Sequence, residues 1–248
     1  MNPVFVFDID GTLTPPRKKM EEDFIKYFRV FCWKHEVYLC TGSDWSKVKE
    51  QIPDSILKHV RGIFTCSGNS YRHGLIRVGE EEASLHRDYY PSVELLEDLR
   101  YFVNISKCPK RTSNHIEQRT GMINFSTIGR DCTSDERKEY SIWDSKTNER
   151  KNLVETLYHK YQDLSFNIGG EISIDIHPKG WDKSRAIKLI KSWHPDSKIC
   201  FFGDKIHQGG NDMPAAEALS PLDYVCPVNG PEETRSTLEG FFVRYEAS

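Results

Sequence analysis

Short apolar runs that stop at polar or glycine-rich turns recur along the chain. VFVFDIDGTLT (4–14), EVYLCTGSD (36–44), VRGIFTCSGN (60–69) and SKICFFGDK (197–205) each read as a buried strand running into a loop. Between them, MEEDFIKYFRVFCWKH and DWSKVKEQIPDSILKHV repeat apolar residues every three to four positions, which predicts helices. Strands alternating with helices, with polar residues gathered at the strands' carboxyl ends, predict an α/β fold built on a doubly wound parallel sheet. From about residue 84 to 178 the pattern changes. Helical stretches (PSVELLEDLRYFV, TSDERKEYSIWDSKTNERKNLVETLYHKY) alternate with strand candidates (GMINFST, DLSFNIG, EISIDIH), which predicts an α+β insertion. The expected organisation is a core formed by residues 1–80 and 179–248 and a cap formed by residues 81–178.

Composition narrows the class without changing this picture. The 248 residues are 38% hydrophobic and 29% charged with a formal net charge of −3, a balance that does not suggest a nucleic-acid partner. No run has the length of a membrane span, and the first strand follows Met1 too closely to leave room for a signal peptide, so a cytoplasmic protein is expected. The seven cysteines are widely spaced, contain no CxxC, and include Cys40 and Cys200 within strand patterns. Buried thiols are therefore expected rather than disulfides or a zinc site.

The chemistry concentrates where the apolar runs end. Asp8 and Asp10 stand two apart where the first run gives way to a turn at Gly11, a spacing that puts both carboxylates on one face of an extended chain. Adjacent carboxylates repel, and a divalent cation with a preference for oxygen, such as Mg²⁺, would stabilise them. A lone Asp-Gly pair can also be an ordinary turn. Thr41, Gly42 and Ser43 lie between a strand and a helix, where a hydroxyl and free N–H groups can bind phosphate; Ser43 or Asp44 can equally be a helix cap. Lys183 begins a helix leading to the strand that ends near Asp204, and Asp212 follows a glycine pair. Lys183 can offset charge on Asp8, and Asp204 and Asp212 can complete a metal site with Asp8 and Asp10.

DIDGT resembles the DxDG[TV] signature of the haloacid dehalogenase superfamily of phosphotransferases. The resemblance implies that Asp8 is a nucleophile that becomes phosphorylated and Asp10 the general acid and base. A carboxylate attacking a phosphoryl group needs a metal and cationic groups to neutralise the phosphoryl oxygens, and a second carboxyl can move the proton.

A closer resemblance covers nearly the whole chain. TPPRKKM, HIEQRTGMINFSTIGRDCTSDERKEY, FNIGGEISIDIHPKGWDK, FFGDK and GGND are similar to segments of eukaryotic-type phosphomannomutases. That implies a core of this superfamily with a cap of the C2b type, and interconversion of mannose 6-phosphate and mannose 1-phosphate. It also implies Mg²⁺, a hexose 1,6-bisphosphate activator and a homodimer formed through the cap. By residue match, Arg119, Arg130 and Arg137 bind the distal phosphate, Ser173 and Asp175 lie near the sugar, and Arg17 contacts substrate from the core. Arginine suits this task because its planar donors pair with phosphate and stay charged. Arg137 can alternatively pair with Glu136 and Glu139. The chain departs from the family pattern at Thr65-Cys66-Ser67-Gly68, where a P-E-N-G segment is usual, and at Glu171 and His177, where an amide and an aromatic residue are common. A sugar-phosphate phosphatase needs the same Asp8, Asp10, Lys183 and Asp204; a noncatalytic binding protein is the remaining alternative.

Overall fold

The structure, a computed structural model, describes residues 3–74 and 85–245, the last five as backbone only. In chain order it begins with β1 (Val4–Phe7), α1 (Glu22–Lys34), β2 (Glu36–Cys40), α2 (Trp45–Gln51), α3 (Asp54–Leu57), β3 (Gly62–Thr65), β4 (Ser70–His73) and β5 (Leu85–His86). Then follow α4 (Val93–Ile105), β6 (Ile116–Arg119), β7 (Met122–Phe125), α5 (Ser134–Thr147), α6 (Glu149–Lys160), β8 (Leu164–Gly169) and β9 (Ser173–Pro178). The chain ends with α7 (Ser184–Trp193), β10 (Ile199–Gly203), α8 (Met213–Glu217), β11 (Tyr224–Pro227) and α9 (Pro231–Tyr245). Two compact units result: Met1–His86 with Gly180–Ser248, and Arg87–Lys179. The boundary expected at residues 80 and 81 lies outside the described residues.

The first unit is a seven-stranded sheet in the order β11-β10-β1-β2-β3-β4-β5. Its strands are parallel from β11 through β3, while β4 and β5 add an antiparallel edge to the expected parallel sheet. The parallel strands β1, β2, β3 and β10 are almost wholly buried, which is why they read as unbroken apolar runs. On one face, Phe24, Phe28, Phe31 and Cys32 form the buried stripe of α1, and Phe28 and Phe31 meet Phe7 edge to face. Each such ring contributes about 1.5–3 kcal/mol by leaving water. The helical stretch expected over 44–60 is two helices, because Pro53 holds Ile52 in an extended conformation and ends α2.

The second unit is an antiparallel sheet in the order β6-β7-β9-β8, with a core drawn from α4, α6 and the strands. The long stretch 133–161 also divides in two. Asn148 turns left-handed (φ 54°) between α5 and α6, and Thr133 with Glu136 forms a capping box that starts α5. All seven cysteines are unbridged and six are buried, as expected. Among the described residues no helix is long and apolar enough to cross a membrane.

Candidate active site

β1 ends at Phe7 beside Phe202 of β10, and the Asp8 N–H donates to the Phe202 carbonyl at 2.9 Å. Asp8 thus leaves the sheet next to the place where chain order runs outward in both directions, the crevice where open α/β sheets bind ligands. Asp204 follows β10 directly, Lys183 caps the amino end of α7, and Asp212 precedes α8. One oxygen from each of Asp8, Asp204 and Asp212 lies within 4.8 Å of the others. Lys183 donates to Asp8 Oδ1 and, at 2.6 Å, to Asp212 Oδ1; its side chain is wholly buried. Two glycines permit this crowding. A Cβ on Gly203 would lie 2.8 Å from the Asp212 carboxyl, and one on Gly11 only 2.3 Å from Asp204 Oδ2.

Three carboxylates facing one buried ammonium leave negative charge in excess. Burial raises the Asp8 pKa to about 7, with Asp212 and Asp204 adding to the rise and Lys183 opposing it. Burial works against the Lys183 ammonium, yet Asp212 and Asp8 outweigh it and raise its pKa. Asp204 is raised chiefly by burial, and its Oδ1 is buried without a hydrogen-bond partner. An oxygen-only donor set, surplus negative charge and an orphaned carboxylate oxygen fit a small hard divalent cation.

Asp10 departs from expectation, because its carboxylate is not part of this cluster. β1 stops before Asp8, so the face-sharing expected of an extended strand does not extend to Asp10. Asp10 Oδ1 instead accepts from the Arg17 N–H (2.6 Å) and from Gln51 Nε2 (2.9 Å), while Oδ2 faces Ser43 Oγ at 3.4 Å. Arg17 reaches it through an uncommon left-handed backbone (φ 62°), and its side chain is exposed. Thr41 Oγ1 accepts from the Ser43 N–H at 3.1 Å, and Gly42 is exposed between them. Asp44, rather than Ser43, caps α2. The Cys66 and Ser67 N–H groups donate to the Ser43 and Thr41 carbonyls, so the departing T-C-S-G segment braces the same loop. Gln51 was missed by sequence reasoning. Its signal was a polar residue on the apolar stripe of Val48 and Ile52.

In the second unit, Arg119 and Arg130 meet at Glu117, and Ser173 meets Arg130. Glu117 Oε2 accepts from Arg119 Nη2 at 2.6 Å and from Arg130 Nε at 3.1 Å. Arg130 Nη1 donates to Ser173 Oγ at 2.8 Å. Arg137 turns toward the Arg130 carbonyl (3.5 Å); Glu136 is occupied by the capping box and Glu139 by Lys110, so neither pairs with Arg137. Asp175 accepts from Asn124 across β7 and β9, and burial raises its pKa against the opposing Asn124, Arg119, His177 and Arg130. Glu171 precedes β9 and is exposed, so it does not share the strand face with Ser173 and Asp175. Buried His177 pairs with Asn167 Nδ2. Glu117 was also missed; its signal was the two-residue spacing from Arg119.

The architecture is found in solved phosphatases. The chain is similar to Plasmodium falciparum IMP-nucleotidase (TM-score 0.60, 14% identity, 96% of this chain and 68% of that one). It is also similar to Aspergillus fumigatus trehalose-6-phosphate phosphatase (TM-score 0.53, 15% identity, 96% and 91%). Identities this low carry the fold alone, an α/β protein with a mainly parallel sheet and a second, antiparallel unit. Sequence relatives are more specific. An Arabidopsis thaliana phosphomannomutase is 32% identical over 242 residues, covering 97% of this chain and 96% of the relative. One from Encephalitozoon cuniculi is 38% identical over 213 residues, covering 84% and 82%. Residues 22–244 match the eukaryotic phosphomannomutase family, and the chain belongs to that family of enzymes.

Proposed function

We propose that the protein is a phosphohexomutase that interconverts a hexose 6-phosphate and a hexose 1-phosphate, with mannose as the favoured hexose, through a hexose 1,6-bisphosphate. The observation that carries this reading is the buried Asp8 carboxylate, held by Lys183 beside Asp204 and Asp212 in a chain of this family. Asp8 attacks the phosphoryl group and becomes an aspartyl phosphate; Lys183 offsets charge on the transferring group. Asp10, pinned through Oδ1, presents Oδ2 to carry the proton to and from the sugar oxygen. Thr41, Gly42 and Ser43 receive phosphate oxygens. Asp8, Asp204 and Asp212 would hold Mg²⁺, which when bound supplies positive charge that keeps Asp8 ionised and stabilises the transferring group.

The arginines of the second unit hold the phosphate that is not reacting. Arg119, Arg130 and Arg137 offer paired donors, with Ser173 and Asp175 toward the sugar and Arg17 contacting substrate from the first unit. The bisphosphate serves as activator by phosphorylating Asp8. The protein acts in the cytoplasm in the route that supplies activated mannose, as a homodimer formed through the second unit and without nucleic-acid or membrane partners.

The test is to incubate purified protein with mannose 1-phosphate, Mg²⁺ and a bisphosphate primer while following products by phosphorus NMR. The expected product is mannose 6-phosphate. Inorganic phosphate without any 6-phosphate would replace the mutase with a sugar-phosphate phosphatase.

A further inference from the structure

Arg150, in the first turn of α6, is a buried cation to which neither the motifs nor the proposed chemistry gives a task. Its Nε donates to Asp144 Oδ2 at 2.8 Å, and its own backbone N–H donates to Asp144 Oδ1 at 2.9 Å. Asp144 therefore holds the guanidinium through Oδ2 and the Arg150 backbone through Oδ1, against the last turn of α5. Nη1 then reaches the connection between β8 and β9, donating to the carbonyls of Gly170 (3.0 Å) and Ser173 (3.3 Å). Gly170 is left-handed there (φ 52°), which lets the connection turn tightly around the cation. A guanidinium only donates, and its planar fork can serve a carboxylate on one edge and carbonyls on another.

The residue gripped by its carbonyl is Ser173, whose hydroxyl accepts from Arg130 Nη1 at 2.8 Å. On its other side Arg130 is steadied through Nε by a partly exposed Glu117 that also serves Arg119. Burial and the neighbouring Arg119 and Arg137 disfavour the Arg130 cation, so its orientation depends on these neutral and anionic contacts. A continuous path thus runs from Asp144 through Arg150 and Ser173 to Arg130.

We propose that Arg150 is a positioning residue for phosphate binding: clamped by Asp144, it holds the start of β9 so that Ser173 Oγ directs the Arg130 guanidinium. This rests on the reading that Arg130 and Ser173 bind the distal phosphate. Lysine at position 150 keeps the charge but not the fork, so it cannot serve Asp144 and the turn in the same geometry. A shift of about 1 Å in a positioning group can cost on the order of 10²-fold, so a partial loss is expected to be readily measured.

In the full-length enzyme with Mg²⁺ and a bisphosphate primer, Arg150→Lys is expected to raise KM for mannose 1-phosphate about tenfold while kcat stays within about threefold. An unchanged KM, or a fall in kcat at constant KM, overturns the proposal. Ser173→Ala is measured beside it, and the double variant should lose less than the product of the two single losses; simple multiplication also overturns it. If Ser173→Ala raises KM and Arg150→Lys does not, only the positioning role fails. If Ser173→Ala leaves KM unchanged, the assignment of Arg130 and Ser173 to phosphate falls, and this inference with it. Should Arg150→Lys lose its near-UV circular dichroism, Asp144→Asn replaces it, with KM expected to rise about threefold and an unchanged KM counting against the proposal.

Discussion

In the first unit three carboxylates gather, two of them bound to a wholly buried lysine; in the second, two arginines converge on a glutamate whose side chain is 37% exposed. Both clusters concentrate charge of one sign. Only the first does so away from water, where unbalanced charge costs several kcal/mol and must be met by a partner, a proton or an ion. The second can leave its excess to solvent, which screens it. The first cluster therefore behaves as a tightly coupled whole whose surplus negative charge depends on the one ammonium beside it. The second behaves as a set of loosely coupled donors, which in the proposed function exchange an internal carboxylate for a phosphate.

The largest effect expected from this contrast is on Asp8, the proposed nucleophile. Asp8→Asn keeps the shape but cannot form an aspartyl phosphate, so kcat should fall on the order of 10⁴-fold or more. Stability should hold or improve, since the variant removes one of the mutually repelling carboxylates. Mutase assays and chemical denaturation on the same preparation measure both; undiminished conversion would end the proposed mechanism. Next comes Lys183→Met, which strips the buried ammonium from Asp8 and Asp212. A loss of about 3–5 kcal/mol is expected in urea denaturation, as for other buried pairs broken from one side. A loss under about 1 kcal/mol would mean that the cluster is not balanced by Lys183.

The two clusters also differed in how far they could be read in the sequence. Asp8, Lys183, Asp204 and Asp212 were legible because each stands at the end of a strand or the start of a helix, and those strands are buried runs that announce themselves. The partners of Asp10 were not. They depend on a left-handed Arg17 and on the loop it shapes, which no spacing rule encodes. β4 and β5 were missed because SYRH and LH are short and mixed, and gain their strand character only by pairing beside β3. Arg150 reads as one more solvated charge in NERK; its burial follows from the left-handed Asn148, which separates α5 from α6 and leaves Arg150 bonded to both Asp144 and the β8–β9 turn. Local pattern carried the strands and their ends, whereas tertiary packing decided which charges were paired.

The charge surplus of the first cluster also predicts a pH-dependent metal response. Asp8 has a pKa raised from 3.8 to about 7, so the folded protein holds that proton more tightly than the unfolded chain. Without a cation, this contribution to stability is complete below the unfolded value and is lost as pH rises from about 4 to about 7. Mg²⁺ competes with the proton for the same oxygens, so its stabilisation should grow across that interval. At a hundred times its dissociation constant, a bound ion contributes about 2.7 kcal/mol. Thermal unfolding with and without Mg²⁺ should show a small gain at about pH 5 and a larger one near pH 7.5. An equal gain at both would detach the ion from Asp8.

The smallest effect should come from the second cluster, and its smallness is the point. Arg119 meets Glu117 at 2.6 Å, but both side chains are 37% exposed, so solvent already competes for the pair. Arg119→Lys should change stability by no more than about 0.5 kcal/mol, far less than Lys183→Met. Its effect should appear instead in substrate binding, because a point charge replaces a planar pair of donors; a KM increase of about threefold is expected. Adding salt should raise KM for the native enzyme and the variant alike, since under the proposed function both bind phosphate through screened charge. A loss of several kcal/mol in Arg119→Lys would instead show that the arginine cluster is as tightly coupled as the carboxylate cluster, and the distinction between the two units would fail.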